Sequence, residues 1–268
     1  MALGLLLAGP TAAELMLTAV REEPLLAVAL PAEVNWSASE KLARTMVVHT
    51  RDSMAPRARI AVESDALIWR ALCRVVRREH RDLLVVGSAH DAEDGHVRLG
   101  RSARQLFDHL ECPLAVAPRG LAGRTTARLR RIGVGFDGGP ESQAALALAT
   151  SIAAAAESEL EVWGAVDDSV APGLRVPPVE RKALNERQLE SALARDLDSA
   201  KDEGIATKIA VTVGMPTDVL SDLGERVDLL VIGSAHSGRT GRLQLGATGR
   251  ALLRYAACPM LVVPRPPD

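Results

Sequence analysis

The sequence predicts an α/β protein of two tandem, doubly wound parallel-sheet domains, the first lacking its first strand. Three observations carry this. Apolar β-rich runs alternate with helix-forming stretches through residues 127–268, the pattern of a parallel sheet covered on both faces. A copy of the same pattern lies upstream, and that copy starts one strand late. The expected domains are residues 1–120 and 127–268, joined by "RGLAGRTTARLR", polar and glycine-containing as domain junctions are.

In the carboxyl-terminal copy, "RRIGVGF" reads as a first strand and "DGGPES" as a turn. "QAALALATSIAAAA" is a strong helix former, and "ELEVWGAV" is a second strand. "PVERKALNERQLESALARDLDSAKDEG" reads as a long amphipathic helix with Leu189, Leu193 and Leu197 on one face and a glycine stop. "ATKIAVTV" is a strand, and "PTDVLSDLGERV" is a helix opened by proline and threonine. "DLLVIG", a glycine-containing loop, the helix "GATGRALLRYAA" and the strand "PMLVVP" close the domain. In such sheets ligands sit beyond the carboxyl ends of the strands, where the strand order reverses.

Residues 227–266 slide back by 146 positions onto 81–120 without a gap, with 18 identities in 40 by direct count. The matches include Gly87/Gly233, His90/His236, Gly100/Gly246 and Cys112-Pro113/Cys258-Pro259. "AELMLTAV", residues 13–20, matches the second strand of the later copy, so residues 1–12 match the end of its first helix. A missing first strand leaves unpaired backbone groups in mid-sheet. The expectation is a natural upstream stretch of roughly 15–20 residues at ~3.3 Å per strand residue; the alternative is a permanently incomplete first domain.

Composition narrows the function classes. The formal net charge of -2 gives no basic field to attract nucleic acid, and the six aromatic residues do not cluster into a base-stacking platform. Cys73, Cys112 and Cys258 form no CxxC pair, and the six histidines have no zinc-type spacing, so reduced thiols in a cytoplasmic protein and no metal site are expected. "MALGLLLAGPTAA" lacks the positive start of a signal peptide and is too short to span a bilayer. It reads as a buried helix end, and no membrane partner is expected.

"GSAHSGRTGRLQLGAT", residues 233–248, joins a strand to a helix with four glycines, two arginines and no acid. Glycines let several backbone N–H groups approach an anion, and the helix start adds a positive dipole end. A flexible surface turn is the plainer alternative. Arg239 and Arg242 add charge or are merely solvated, and His236 contacts a phosphate or caps the turn. The twin loop, residues 87–102, carries Asp91, Glu93 and Asp94 against Arg98 and Arg101, net -1, where the later loop is +2. Each like-charge contact near 4 Å costs roughly 1 kcal/mol in water and about 4 at an effective dielectric of 20. The first loop is therefore expected not to bind a polyphosphate.

These residues resemble the universal stress protein family. Gly233 and Gly246 have the family's loop spacing, His236 stands where its second glycine usually does, and Ala247 replaces the usual hydroxyl with Thr248 following. "IGVGFDGGPES" resembles the family's opening strand and its Asp, and "CPMLVVPR" its closing strand. The resemblance implies an adenine nucleotide alpha hydrolase-like fold. It also implies an ATP site, with Mg²⁺ as a candidate companion, held by Asp137, Val166, Gly233, His236, Gly238, Gly246 and Thr248. Family members dimerise through their last strands; "PLAVAP" and "PMLVVP" are expected to pair within one chain, with a homodimer as a further option. Proline at a strand start suits an edge, and antiparallel pairing puts Cys112 and Cys258 at opposite ends.

The implied function is an ATP-binding, stress-response sensor or regulator with nucleotide in the carboxyl-terminal domain. The alternative is a protein-interaction scaffold of the same fold without nucleotide. An enzyme is not expected, although weak ATP hydrolysis stays open. "DGGPES" only partly resembles the pyrophosphatase loop of ATP-consuming ligases, and no Ser-His-Asp or Cys-His set is evident.

Overall fold

The computed structural model describes residues 1–23, 36–123, 128–166, 187, 191, 194, 204–235 and 241–265. In chain order the amino-terminal half comprises α1 (Ala2–Thr11), β1 (Met16–Glu22), α2 (Trp36–Met54), β2 (Arg59–Asp65), α3 (Ile68–Arg78), β3 (Leu84–Gly87), α4 (Arg101–Leu106) and β4 (Leu114–Ala117). The carboxyl-terminal half comprises β5 (Arg131–Gly135), α5 (Pro140–Ala156), β6 (Glu159–Val166), β7 (Thr207–Val213), α6 (Pro216–Gly224), β8 (Leu229–Gly233), α7 (Ala247–Tyr255) and β9 (Met260–Val263). The long helix expected between β6 and β7 lies largely outside the described residues, of which Arg187, Ser191 and Ala194 are helical.

Seven strands form one sheet in the order β3-β4-β9-β8-β5-β6-β7, and β1 and β2 form a separate parallel pair. Every pairing is parallel except β4 with β9, where Leu114, Ala115 and Val116 face Val262, Leu261 and Met260. The two closing strands thus pair within the chain. Cys112 and Cys258 fall beyond opposite ends of that ladder, and both are free and buried. The expectation that the preceding prolines mark sheet edges is corrected: β4 and β9 are interior strands. Pro113 and Pro259 sit just before the ladders, where only their carbonyls are needed, accepting from the amides of Leu84 and Leu230 at 3.0 and 2.9 Å.

The packing follows strand alternation. One sheet face presents Ala115, Ile132, Val134, Leu229, Val231 and Leu261 to α1 and α5. The other presents Leu114, Val116, Leu230, Ile232, Met260 and Val262 to α3, α4, α6 and α7. Residues from both halves share both layers, so the core is continuous across the β4–β9 seam. The opening segment is indeed a buried helix end: Leu3 and Leu7 of α1 lie in the first layer.

The amino-terminal half departs from its sibling at one place. Within the later half β5 lies between β8 and β6. The equivalents of those neighbours are β3 and β1, which lie in different sheets. The sheet breaks where the repeat lacks its first strand. Burial records the same gap: β8 is buried along Leu229–Ile232, whereas Leu84, Val85 and Val86 of β3 are only half-buried, as is Met16–Arg21 of β1.

Candidate functional site

The chain runs from β5 to β6 and β7 on one side of the sheet and to β8 and β9 on the other. The order therefore reverses between β5 and β8, the usual place for a ligand crevice. At the carboxyl ends of β8, β5 and β6 stand Gly233, Asp137 (one residue beyond Phe136) and Val166. They are spread over two strand spacings, about 10 Å.

Asp137 is exposed at the rim, and its Oδ1 accepts from the Gly139 amide at 2.9 Å and the Ser142 hydroxyl at 2.8 Å. These bonds fold "DGGPES" into the start of α5, with Pro140 in the first turn as helix starts favour. Gly138 takes a left-handed φ of 84° there, a conformation glycine reaches without a Cβ clash. Val166 is nearly buried, and its carbonyl accepts from the Gly214 amide at 3.0 Å.

Gly233 has a structural reason to be glycine. A Cβ there would lie 2.6 Å from the Glu141 carbonyl carbon and 2.7 Å from its oxygen. The glycine admits the first turn of α5 onto β8, a role the loop spacing did not suggest. Gly246 is different. It caps α7 with no side-chain cap, no acid occupies the first turn, and a Cβ would meet only Ala235 at 3.6 Å. Among the described residues, the first amides of α7 thus have no side-chain acceptor at this cap. They are donors suited to an anion, at the positive end of the helix dipole. Thr248, half-buried, lies in this first turn. His236 and Gly238 lie outside the described residues, as does Arg239.

Ser234 was missed by the sequence reading and staples the loop. Its hydroxyl donates to the Gln244 carbonyl and accepts from the Gln244 amide, both at 2.6 Å. Ser88 instead ties the first loop to the end of β4, donating to the Ala117 carbonyl at 2.7 Å and accepting from the Arg98 amide at 3.1 Å. The serine after each glycine was the available signal.

The two loops then diverge. Arg119 closes the first from within: one guanidinium nitrogen donates to the carbonyls of His90 and Ala92 at 2.6 and 2.9 Å, and Nε pairs with Asp94 at 3.1 Å. Asp91 pairs with Arg98 at 3.0 Å. Two acids of this loop, Asp91 and Asp94, are thus engaged by Arg98 and Arg119. The counterpart of Arg119 is Arg265 (119 + 146), whose Nε stands 3.9 Å from the buried Glu141. A cavity of about 1030 Å³ opens between the two loops, with Gly246, Ala247 and Arg250 on one wall and Asp91, Glu93 and Asp108 on the other.

A family model described as the universal stress protein family matches residues 128–264, more than half of the chain. The chain belongs to the universal stress protein family. Universal stress protein Rv1996 of Mycobacterium tuberculosis is 26% identical over 191 residues, covering 69% of this chain and 60% of the relative. Universal stress protein Rv2623 of the same organism is 25% identical over 185 residues, covering 67% and 60%. The chain thus spans about 60% of the length of these relatives. A universal stress protein structure from Archaeoglobus fulgidus DSM 4304 superposes with a TM-score of 0.61 at 14% identity, covering 94% of this chain and 88% of that one. Protein PA1789 of Pseudomonas aeruginosa PAO1, described as functionally unknown, gives 0.62 at 16%, covering 98% and 86%. At such identities the structures establish the fold. No helix among the described residues of this universal stress protein is long and apolar enough to cross a membrane.

Proposed function

We propose that this universal stress protein is a stress-response regulator that binds ATP in its carboxyl-terminal half, without turning it over as an enzyme. The observation that supports this most is the uncapped start of α7 at Gly246, beside the point where strand order reverses. A polyphosphate there takes the amides of Ala247 and Thr248, and Asp137 faces the ribose hydroxyls one strand away. Val166 borders the nucleoside and Gly233 the phosphates; His236 and Gly238 complete the loop, and Mg²⁺ would accompany the phosphates. The residues fit the group in donor chemistry, with amide hydrogens and a helix dipole for anionic oxygens. The amino-terminal loop, closed by Arg119 and its acids, stays empty. Residues 1–120 and 127–268 act as paired domains, and the setting is cytoplasmic.

Titration with labelled ATP and Mg²⁺ tests the reading: one site per chain is expected. Gly246→Leu abolishes binding, and Gly100→Leu leaves it unchanged. Saturation at two sites, or binding indifferent to Gly246→Leu, overturns it. A scaffold without nucleotide is the second reading, favoured by Ala247 standing where the family's hydroxyl usually does; absence of any binding selects it.

A further inference from the structure

The cavity between the two loops begins where the phosphate site set out above ends. Gly246 and Ala247 at the start of α7 line it, and it continues past Arg250 to Arg254 and Tyr255, about 13 Å along the helix at ~1.5 Å per residue. We propose that it seats the distal half of a dinucleoside polyphosphate, so that one ligand with four or more phosphates runs from the carboxyl-terminal crevice to the amino-terminal loop. This rests on the nucleotide reading above and names its ligand class.

Strand order gives the direction. With the ribose at Asp137 beyond β5 and the phosphates at the start of α7 beyond β8, the phosphate chain points along β5, β8, β9 and β4, towards the other half. The first loop meets α7 on that side: the Val97 amide donates to the Ala256 carbonyl at 2.8 Å. The cavity, at about 1030 Å³, is at the upper end of the range for small-molecule sites and has room for more than the tail of one triphosphate.

The two walls differ in chemistry. On α7, Arg250 and Arg254 stand one turn apart on one face. Both are exposed and make no hydrogen bond or ion pair with another described residue, so they are available to phosphates beyond the third. On the facing wall Arg98 neutralises Asp91 at 3.0 Å, while Glu93 and Asp108 form no ion pair with another described residue. Carboxylates repel a phosphate chain, but they accept from ribose hydroxyls and from the amino group of a purine. Leu99, Phe107 and Leu253 are buried beneath this wall. At the far end Tyr255 is 70% exposed, and an open aromatic face stacks a base. One wall thus suits phosphates, the other a nucleoside. The acids at Asp91 and Glu93 then serve the sibling's ligand, although their own loop is closed by Arg119.

Calorimetric titration of the whole chain with ATP, adenosine tetraphosphate and diadenosine tetraphosphate, each with Mg²⁺, tests this. Diadenosine tetraphosphate is expected to bind at one per chain, about tenfold more tightly than ATP, the scale of one stacked base, and to displace it. Arg254→Gln and Glu93→Gln are each expected to bring that affinity back towards the ATP value. Both should leave ATP binding unchanged, which shows that the variants are folded. Azido groups on the two adenines should label residues near Val166 and residues near Tyr255. Equal affinity for ATP and the dinucleotide, or adenosine tetraphosphate binding as tightly as the dinucleotide, overturns the proposal while the ATP reading stands. So does one dinucleotide bound per two chains. Binding of none of the three overturns the nucleotide reading itself, and this proposal with it.

Discussion

Val97 and Leu243 are equivalent residues, 146 positions apart, and each donates its amide across the interface to the other half: Val97 to the Ala256 carbonyl at 2.8 Å, Leu243 to the Leu110 carbonyl at 2.9 Å. Their acceptors are also 146 apart, and both side chains are fully buried. The two loops that diverge in charge therefore share one architectural task. Each carries an apolar residue into the layer that also holds Leu106 of α4 and Leu252 of α7.

This makes Leu243 a coupling point. Leu243→Ala is expected to cost about 3 kcal/mol, in the range for an enclosed leucine that leaves a cavity. Because the core layers are continuous, the loss should appear in one cooperative unfolding transition rather than two. Urea titration followed by circular dichroism and by tryptophan fluorescence checks this, and separated transitions would contradict it.

Two glycines of the loop should respond oppositely. Gly233→Ala sets a Cβ 2.6 Å from the Glu141 backbone and is expected to cost about 1–3 kcal/mol of stability, as overpacking does. Gly246→Ala meets only Ala235 at 3.6 Å, and its stability is expected to stay within ~0.5 kcal/mol of the parent. Thermal melts of the two variants separate packing from recognition.

Burial pushes the thiols of Cys112 and Cys258 up to about 12. A folded value above the unfolded ~8.5 means that the contribution is full below that pH and is lost as pH rises towards 12. Stability is expected to decline above pH ~9, approaching about 1.4 kcal/mol per thiol per pH unit. Replacing both residues with alanine should remove that decline. Alkylation by iodoacetamide at pH 8 should be blocked at both positions until the chain unfolds.

Asp65 carries the opposite sign. The Arg70 guanidinium, with the Leu67 amide and Arg74, holds its carboxyl well below the usual carboxylate range against the desolvation of its site. The bonds to Arg70 and Arg74 are 2.6 and 3.0 Å. This stabilisation is present above the unfolded value of ~3.9 and is lost as pH falls through the folded one. Asp65→Asn is expected to cost about 2 kcal/mol at pH 7, and the penalty should shrink as pH drops below ~4. Urea midpoints of parent and variant across pH 7 to 2.5 give the comparison.

The alternation of strand and helix was readable because each element shows its period within a dozen residues. The repeat made the missing strand readable, and the family resemblance the pairing of the closing strands. Strand order was less so: nothing local to Pro113 or Pro259 says that the strands they precede are interior. Local geometry was readable where the signal is local, as in the turn at Asp137 and the helix start at Gly246. The packing role of Gly233 was not legible, because the atom that forbids its side chain belongs to Glu141, 92 residues earlier (233 − 141). Arg119 was overlooked for a similar reason, since its partners His90, Ala92 and Asp94 lie 25 to 29 residues before it (119 − 94 to 119 − 90).

The antiparallel seam between β4 and β9 has an evolutionary corollary. Where two identical subunits meet, any change in one is imposed on its mate, and a defect strikes both at once. Here the mates share a single chain, and a tether of this kind holds its ends at an effective concentration on the order of millimolar. One member is therefore free to drift, acquiring Asp91, Glu93 and Asp94 in its loop, while still serving as the permanent companion of the other.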